Sequence, residues 1–484
     1  MVKNVLLLHG YSVRSMNSWG QLPALLQASG IATNALYYSA FVSLDDYVSC
    51  ADLADALEAQ ISLLETGGLE IANTAIVAHS TGAIIARRWM LNRRKSGKKA
   101  VSHFISCAGA NHGSTLAQLG RGGLAQLFRD LTEKSSVGKR VLSDLDYGSV
   151  FLRKLNREWI DAWNDSVCPL HGETFCFSLG GTDHSYWQNQ LTWESRESGS
   201  DGTVRISSAN LNYRIIEVTP PYETMKTIQM DKQAPHLVVH TKNKSYSHTS
   251  EAKPDSAGLV LSQVANAVNK LTHPGRSPET ISASVDGILE GIQNAGERPY
   301  KALLEAMNVH SSVAYDQVAS IWTGETQAWS QAYPSETCST IVAVMRDSDG
   351  RLVDDSLILL RDYNDGTIAG ISQSILGNQP IRNEDTPSVL SFYVKSKEFS
   401  DVHPHGIYAE AKTDTEFVSY DLRVNSPLSD GEGPNASHVI AANEFTYIDI
   451  TTTRDASKSL VFIAANHPNI NELLNKAFPP LPTA

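Results

Sequence analysis

The chain has 484 residues, 42% of them apolar and 19% charged, the proportions of a globular protein with a sizeable core. At about 150 residues per domain, that length accommodates up to about three domains. Its 52 acidic residues against 40 basic ones leave a net charge of −12, which repels phosphate backbones and sets aside a nucleic-acid partner held by bulk electrostatics. Apolar runs such as 5–8 and 460–465 fall far short of the roughly 20 residues of a membrane helix, so no transmembrane segment is expected.

Met1-Val2-Lys3-Asn4 leads directly into the apolar run that ends at His9-Gly10, without the longer apolar stretch and small-residue cleavage site of a signal peptide. The expectation is a cytoplasmic protein, or one exported without a cleavable signal. Cys50, Cys107, Cys168, Cys176 and Cys338 are widely spaced and odd in number, which reads as mostly free thiols in a reducing compartment. Cys168 and Cys176 are near enough to bridge, but they too are expected as buried thiols.

In chain order, residues 5–8 read as a strand, 22–28 as a helix and 35–38 as a second strand. A helix over 53–64, a strand over 75–78 and a helix over 83–91 follow, then strands at 103–107, 174–179 and 236–240. Strands alternating with helices predict βαβ units on a parallel sheet. A breaker cluster at His273-Pro274-Gly275 is followed by helical spacing to about residue 332. Beyond Pro334, β-branched runs at 340–345, 352–360, 388–394, 407–424, 445–452 and 460–464 are separated by turn signals, a pattern that predicts an antiparallel sandwich. The expected organisation is thus an α/β catalytic unit over 1–272, a helical connector over 273–335 and a β-sandwich-like accessory domain over 336–484.

The strongest chemical signal is Ala78-His79-Ser80-Thr81-Gly82 between a strand and a helix. This is the pattern of a nucleophile elbow, with Ala78 at the usual first glycine; the plainer alternative is a serine capping the helix. Acyl transfer builds negative charge on a carbonyl oxygen, which backbone N–H groups must meet. Thr81, after the nucleophile, and Tyr11, in His9-Gly10-Tyr11 after the first strand, are the candidate donors, with the His9 side chain bracing the loop. The candidate acid is Asp201 in Gly199-Ser200-Asp201-Gly202-Thr203-Val204, with Asp183 as its competitor. The base must follow the acid in α/β-hydrolase chain order. His236 and His240 fall on an apolar run, so His248, in the polar stretch Ser245-Tyr246-Ser247-His248, is the expected base.

Taken together, His9-Gly10-Tyr11, Ala78-His79-Ser80-Thr81-Gly82, Asn111-His112-Gly113-Ser114-Thr115 and Ser200-Asp201-Gly202-Thr203-Val204 resemble the serine lipases and esterases of the α/β-hydrolase fold. The likeness is greatest to the bacterial branch similar to GPI-inositol deacylases and lecithin:cholesterol acyltransferase. It covers roughly residues 1–270, and implies a triad of Ser80, Asp201 and His248 that cleaves lipid esters with no cofactor and no metal. The Asn111-His112-Gly113-Ser114 piece resembles the segment leading into a lid. Residues 115–165, with an apolar stripe of Leu116, Leu119, Leu124, Leu127, Phe128 and Leu131, would be that lid, touching membrane surfaces transiently, or else a helix packed on the core. The rival readings are an acyltransferase with the same acyl-enzyme, and a non-catalytic lipid- or protein-interaction module.

Overall fold

A computed structural model of the chain describes residues 2–11, 22–36, 45–114, 117, 138–182, 197–201, 203–220, 225–239, 298–353, 356–362, 376, 380–383, 385–396, 405–411, 418–420, 423–427, 429–430, 437–438 and 440–456. The first sheet consists of β1 (Asn4–Leu8), β2 (Ala32–Leu36), β3 (Thr74–His79), β4 (His103–Cys107), β5 (Phe175–Gly181) and β8 (His236–Val239). They run in the order β2-β1-β3-β4-β5-β8, parallel throughout. The central strands are apolar at nearly every position because both faces are covered. Leu6, Leu8, Ile76, Ala78 and Phe104 pack on one side against α2 (Cys50–Thr66), α3 (Thr81–Lys95) and α5 (Val150–Trp163). Val5, Leu7, Val77, Ile105 and Phe177 pack on the other side, against α1 (Leu22–Ala28), α8 (Arg298–Met307) and α9 (Ser312–Ala332).

The expected second strand starts three residues earlier than the apolar pattern at 35–38 suggested. β2 lies at the sheet edge, where its Thr33 and Asn34 need no apolar neighbour. The expected connector is equally structural. Tyr315 of α9 donates to the Cys176 carbonyl (2.8 Å), and the Thr326 hydroxyl accepts from Val238 N–H (3.1 Å) and donates to the His236 carbonyl (3.0 Å). α9 thus closes the exposed side of β8.

The short helices α4 (Lys139–Leu145), α6 (Leu170–Glu173) and α7 (Ile206–Ala209) complete the α-helices among the described residues. Of the expected lid, residues 115–116 and 118–137 lie outside the described residues, while α4 and α5 belong to the core. Val141, Leu145, Leu152, Leu155, Trp159, Ile160 and Trp163 are all buried there. The apolar stripe of α5 faces the sheet layer rather than solvent, so this half of the segment is fixed by packing.

A second sheet gathers strands from both halves of the chain. β6 (Tyr213–Val218) and β7 (Met225–Gln229) come from before the connector. β9 (Cys338–Asp347), β11 (Ile381–Arg382), β12 (Val389–Lys395) and β18 (Phe445–Thr452) come from after it. The order is β11-β12-β9-β18-β6-β7, with β18 parallel to both β9 and β6 and the other pairings antiparallel. The sheet is therefore mixed, a correction to the antiparallel pattern expected. The long connections between β6, β9 and β18 let all three run in one direction, which a tight hairpin cannot do. Ile216, Ile341, Ala343 and Ile448 pack onto β10 (Ser356–Asp362) and β13 (His405–Ala411). These two form a three-stranded antiparallel sheet with β15 (Arg423–Pro427), so two sheets do face each other across an apolar core. Two small pairs join β14 (Val418–Tyr420) to β19 (Arg454–Ala456) and β16 (Ser429–Asp430) to β17 (Ser437–His438). The opposite face of the mixed sheet carries Tyr213, Val342, Val389, Phe445 and Tyr447 into the same core as α3 and α5.

All five cysteines are free thiols. Cys168 is exposed while Cys176 is buried in β5, which corrects the expectation that both are buried. No helix among the described residues is long and apolar enough to cross a membrane.

Ser178 of β5 lies beside His236 in the sheet register, its hydroxyl 2.9 Å from His236 Nδ1. Burial pushes that imidazole down to about 3, whereas in the unfolded chain it titrates near 6.5. The native state holds the ring neutral, so the stability this group contributes is present above pH 6.5 and is lost as pH falls from there towards 3. His236→Gln should therefore flatten the dependence of unfolding free energy on pH between 6 and 4 by up to about 1.4 kcal/mol per pH unit relative to the unchanged chain. Urea titrations at stepped pH measure this; equal slopes for the two proteins would refute it.

Candidate active site

Ser80 sits where β3 hands over to α3, at φ 53° and ψ −124°. A non-glycine residue in this left-handed region is uncommon and costs about 1–3 kcal/mol, so the surrounding structure must impose it. Both its backbone groups are tied down: Ser80 N–H donates to the Cys107 carbonyl (3.2 Å), and its own carbonyl accepts from Ala83 and Ala110 (3.1 Å each). The Ser80 side chain makes no capping bond to the helix it precedes, which removes the helix-cap alternative. Gly82 is required by close approach, because a Cβ there would stand 2.6 Å from the carbonyl oxygens of Leu8 and His9. Ala78, two residues before the serine, is fully buried in the core, so the methyl that replaces the usual glycine is accommodated.

The end of β1 lies directly over this turn. A Cβ on Gly10 would be 2.8 Å from Ser80 Cβ and 3.3 Å from Ser80 Oγ, so the backbone leading into Tyr11 passes beside the hydroxyl. Thr81 is the first residue of a 15-residue helix and is buried. Its N–H is among those with no partner inside the helix, at the positive end of the helix dipole. His9 is buried with Nδ1 2.7 Å from the Gly10 carbonyl, the loop-bracing position expected of it. Burial, then the neighbouring His9, pulls His79 down to about 4, so the ring beside the serine is neutral at pH 7. The Tyr11 phenol is pushed up by burial and by Asp46 and keeps its proton.

Asp201 is buried on a loop whose geometry its own carboxylate sets. Oδ1 accepts the N–H groups of Thr203 (2.9 Å) and Val204 (2.7 Å). The loop is gripped from two sides. From the α/β unit, Ser114 Oγ donates to the Thr203 carbonyl (2.7 Å), while Ser208 Oγ donates to the Gly113 carbonyl (2.6 Å). From the mixed sheet, the Tyr393 hydroxyl donates to the Ser198 and Gly199 carbonyls, and Thr340 Oγ1 lies 2.7 Å from Ser207 Oγ.

At the base of the loop, Arg205 and Glu197 form a fork-to-fork ion pair at 2.7 and 2.8 Å, both side chains 1% exposed. The guanidinium is sandwiched between the rings of Tyr393 (4.1 Å) and Tyr147 (4.7 Å). Burial opposes its charge, but the Glu197 carboxylate and the tyrosines outweigh that and hold its pKa above the ordinary value. None of Glu197, Arg205, Tyr147 and Tyr393 was marked by sequence spacing. They sit on three separate segments, and only Arg205, just after the Asp201 motif, carried even a positional hint.

The Asn111-His112 piece is buried rather than leading outward. Asn111 Nδ2 donates to Ser106 Oγ (3.0 Å) and to the Ala209 carbonyl (2.9 Å). The His112 ring stacks on Phe445 of β18 at 4.6 Å. Of the histidines weighed as base, His236 is engaged with Ser178 on the sheet, and His240 and His248 lie outside the described residues, as do Asp183 and Gly202. Among the described residues, no group of three His, Cys, Asp or Glu side chains could hold a metal ion.

No family model matches the chain, and no curated protein is similar to it in sequence. Among solved structures it is similar to the phospholipase PlaB from Legionella pneumophila, with a TM-score of 0.73 and 20% identity over 97% of each chain. The same phospholipase in complex with thio-NAD gives a TM-score of 0.71 and 21% identity, over 96% of this chain and 97% of that one. A Bacillus licheniformis lipase, BlEst2 in mature form, overlaps 43% of this chain and 80% of its own at a TM-score of 0.32 and 16% identity. At these identities the likeness to PlaB establishes a shared fold along nearly the whole chain. The chain has an α/β-hydrolase fold joined to a second, mixed sheet, similar in architecture to a bacterial phospholipase.

Replacing Arg205 with Met strands the buried Glu197 carboxylate and should cost about 3–5 kcal/mol. The double replacement Arg205→Met with Glu197→Leu should recover a large part of that loss, because an apolar pair of similar volume leaves no buried charge. Denaturant unfolding of the two variants decides this; equal stability for both would show that the pair does not act as a unit.

Proposed function

We propose that the chain is a serine hydrolase of carboxylic esters of lipids, with Ser80 as nucleophile. The observation that carries this reading is the strained strand-to-helix turn that presents the Ser80 hydroxyl, uncapped, beside the backbone of Gly10 and at the N-terminus of α3. A structural serine needs none of that strain, whereas an acyl-transfer nucleophile needs exposure on one side and N–H donors on the other. The full-length likeness to a phospholipase favours a lipid ester as substrate.

In this mechanism Ser80 Oγ attacks the ester carbonyl while His248 takes its proton. Asp201 orients the imidazole and stabilises its charged form. The N–H groups of Tyr11 and Thr81 bind the oxyanion of the tetrahedral intermediate. Collapse breaks the ester C–O bond, and the departing alcohol takes the proton from His248. Water, deprotonated by the same histidine, then attacks the acyl-serine and releases the fatty acid, and the proton returns to Ser80. The carboxylate of Asp201, set rigidly by its own loop, suits the orienting role.

The test is turnover of p-nitrophenyl esters of increasing acyl length and of phosphatidylcholine vesicles. Ser80→Ala should remain folded and lose at least about 10⁴-fold in rate. Gly10→Ala places a methyl 3.3 Å from Ser80 Oγ and should lower the rate by about 10²-fold by displacing the reacting carbonyl. Full activity in Ser80→Ala, or a folded chain inactive on every ester, would overturn the assignment.

A further inference from the structure

A cavity of about 280 Å³ lies between α5 and the mixed sheet, and none of the active-site residues lines it. Arg153, Lys154 and Arg157 of α5 meet Arg346 of β9 across it, with Tyr447 and Asp449 of β18 in the wall. Four cations around one cavity run against the trend of a chain with net charge −12.

Arg157 is already matched by Glu217 at 2.7 Å and Asp161 at 3.6 Å. Arg153 spends its Nε on the Gly148 carbonyl (2.9 Å), and Arg346 spends one Nη on the Gly350 carbonyl (3.1 Å). Among the described residues, neither of these two arginines nor Lys154 is held in an ion pair, and Asp449 is the only carboxylate in the wall. Burial, and then repulsion from Arg346, draws Arg153 down to about 10, so the charges are held together at a cost that a bound anion would offset.

We propose that this cavity binds a phosphoryl group, on a lipid headgroup or on a soluble phosphate ester. With Asp449 answering one of the three cations, two positive charges remain. They match a phosphate monoester, which carries about two negative charges and three acceptor oxygens. The guanidinium forks of Arg153 and Arg346 come from opposite walls and suit bidentate contact with phosphate oxygens, with Lys154 as a point charge at the mouth. A carboxylate, with one charge, would leave part of that field unanswered. The site needs both layers, because the helix supplies two of the three cations and the sheet the third. The inference does not depend on the Ser80 chemistry.

Calorimetric titration of the full chain with inorganic phosphate and with glycerol 3-phosphate, at constant ionic strength, tests the proposal. Sedimentation with phosphatidylcholine vesicles, with and without phosphatidic acid, separates the two sources. Binding should be saturable, at least about tenfold weaker in Arg346→Gln and in Lys154→Gln, given the loss of a charge-assisted contact, and unchanged in Lys99→Gln. Lys154 is exposed, so its variant keeps the test valid even if Arg346→Gln fails to fold. Binding of the soluble probes alone identifies a soluble ester, and a gain only on phosphatidic acid vesicles identifies a headgroup; either result supports the site. No saturable binding of any probe, or equal binding by Lys154→Gln and the unchanged chain, overturns it.

Discussion

The parallel pairing of β6 with β18 is the constraint on which the rest of the molecule depends. Six residue pairs, from Phe445 beside Tyr213 to Ile450 beside Val218, join a strand of the α/β half to a strand from the far end of the chain. Strand register is fixed in steps of two, because a one-residue slip would turn Phe445 and Tyr447 away from the core they share with α3 and α5. Once that register is set, β9 and β12 follow in their order on the other side of β18. Thr340 and Tyr393 then arrive at the Asp201 loop, and Arg346 arrives opposite α5. The second sheet thus forms a wall of the α/β half.

The same seam explains the buried polar groups between the layers. Arg87 is fully buried and donates to the Asn111 carbonyl (2.9 Å) and to Asn156 Oδ1 (2.8 Å), with Trp159 4.5 Å below its guanidinium. Asn156 Nδ2 in turn donates to the Tyr447 hydroxyl (2.7 Å), which reaches this point only because β18 is in place. Burial disfavours the Arg87 charge, and neutral acceptors with an aromatic face meet it instead of a carboxylate. Such a network is costly to leave half made. It therefore favours one arrangement of helix, loop and sheet over alternatives that would pack the apolar surfaces equally well.

At Ser80 the balance is different. A strained backbone is held by hydrogen bonds to Cys107 and Ala110 and by the close passage of β1 over Gly82. The stability stored in the parallel sheet offsets the local cost, and the result is a Ser80 hydroxyl held beside the backbone of Gly10. The Asp201 loop is rigid for another reason, an ion pair shielded from water and clamped between two tyrosine rings. One site is shaped by backbone geometry and the other by side chains drawn from remote segments.

That contrast marks what the sequence by itself determined. The parallel sheet was legible in its apolar runs, since strands buried on both faces carry no polar alternation to confuse them. The sharp strand-to-helix turn at Ser80 was legible because its small residues are local, with Ala78 and Gly82 each two positions from Ser80. The free thiols were legible in the cysteine spacing. Only the tertiary structure decided that β6 and β7 belong to the second sheet, that this sheet is mixed, and that the helices after residue 298 cover the first sheet. It also decided that α4 and α5 are core, and that Glu197, Arg205, Tyr147 and Tyr393 hold the Asp201 loop. These features arise from pairings between segments up to more than 200 residues apart, such as Phe445 with Tyr213. Periodicity along the chain reports which face of an element is buried, but carries no record of the distant element that buries it.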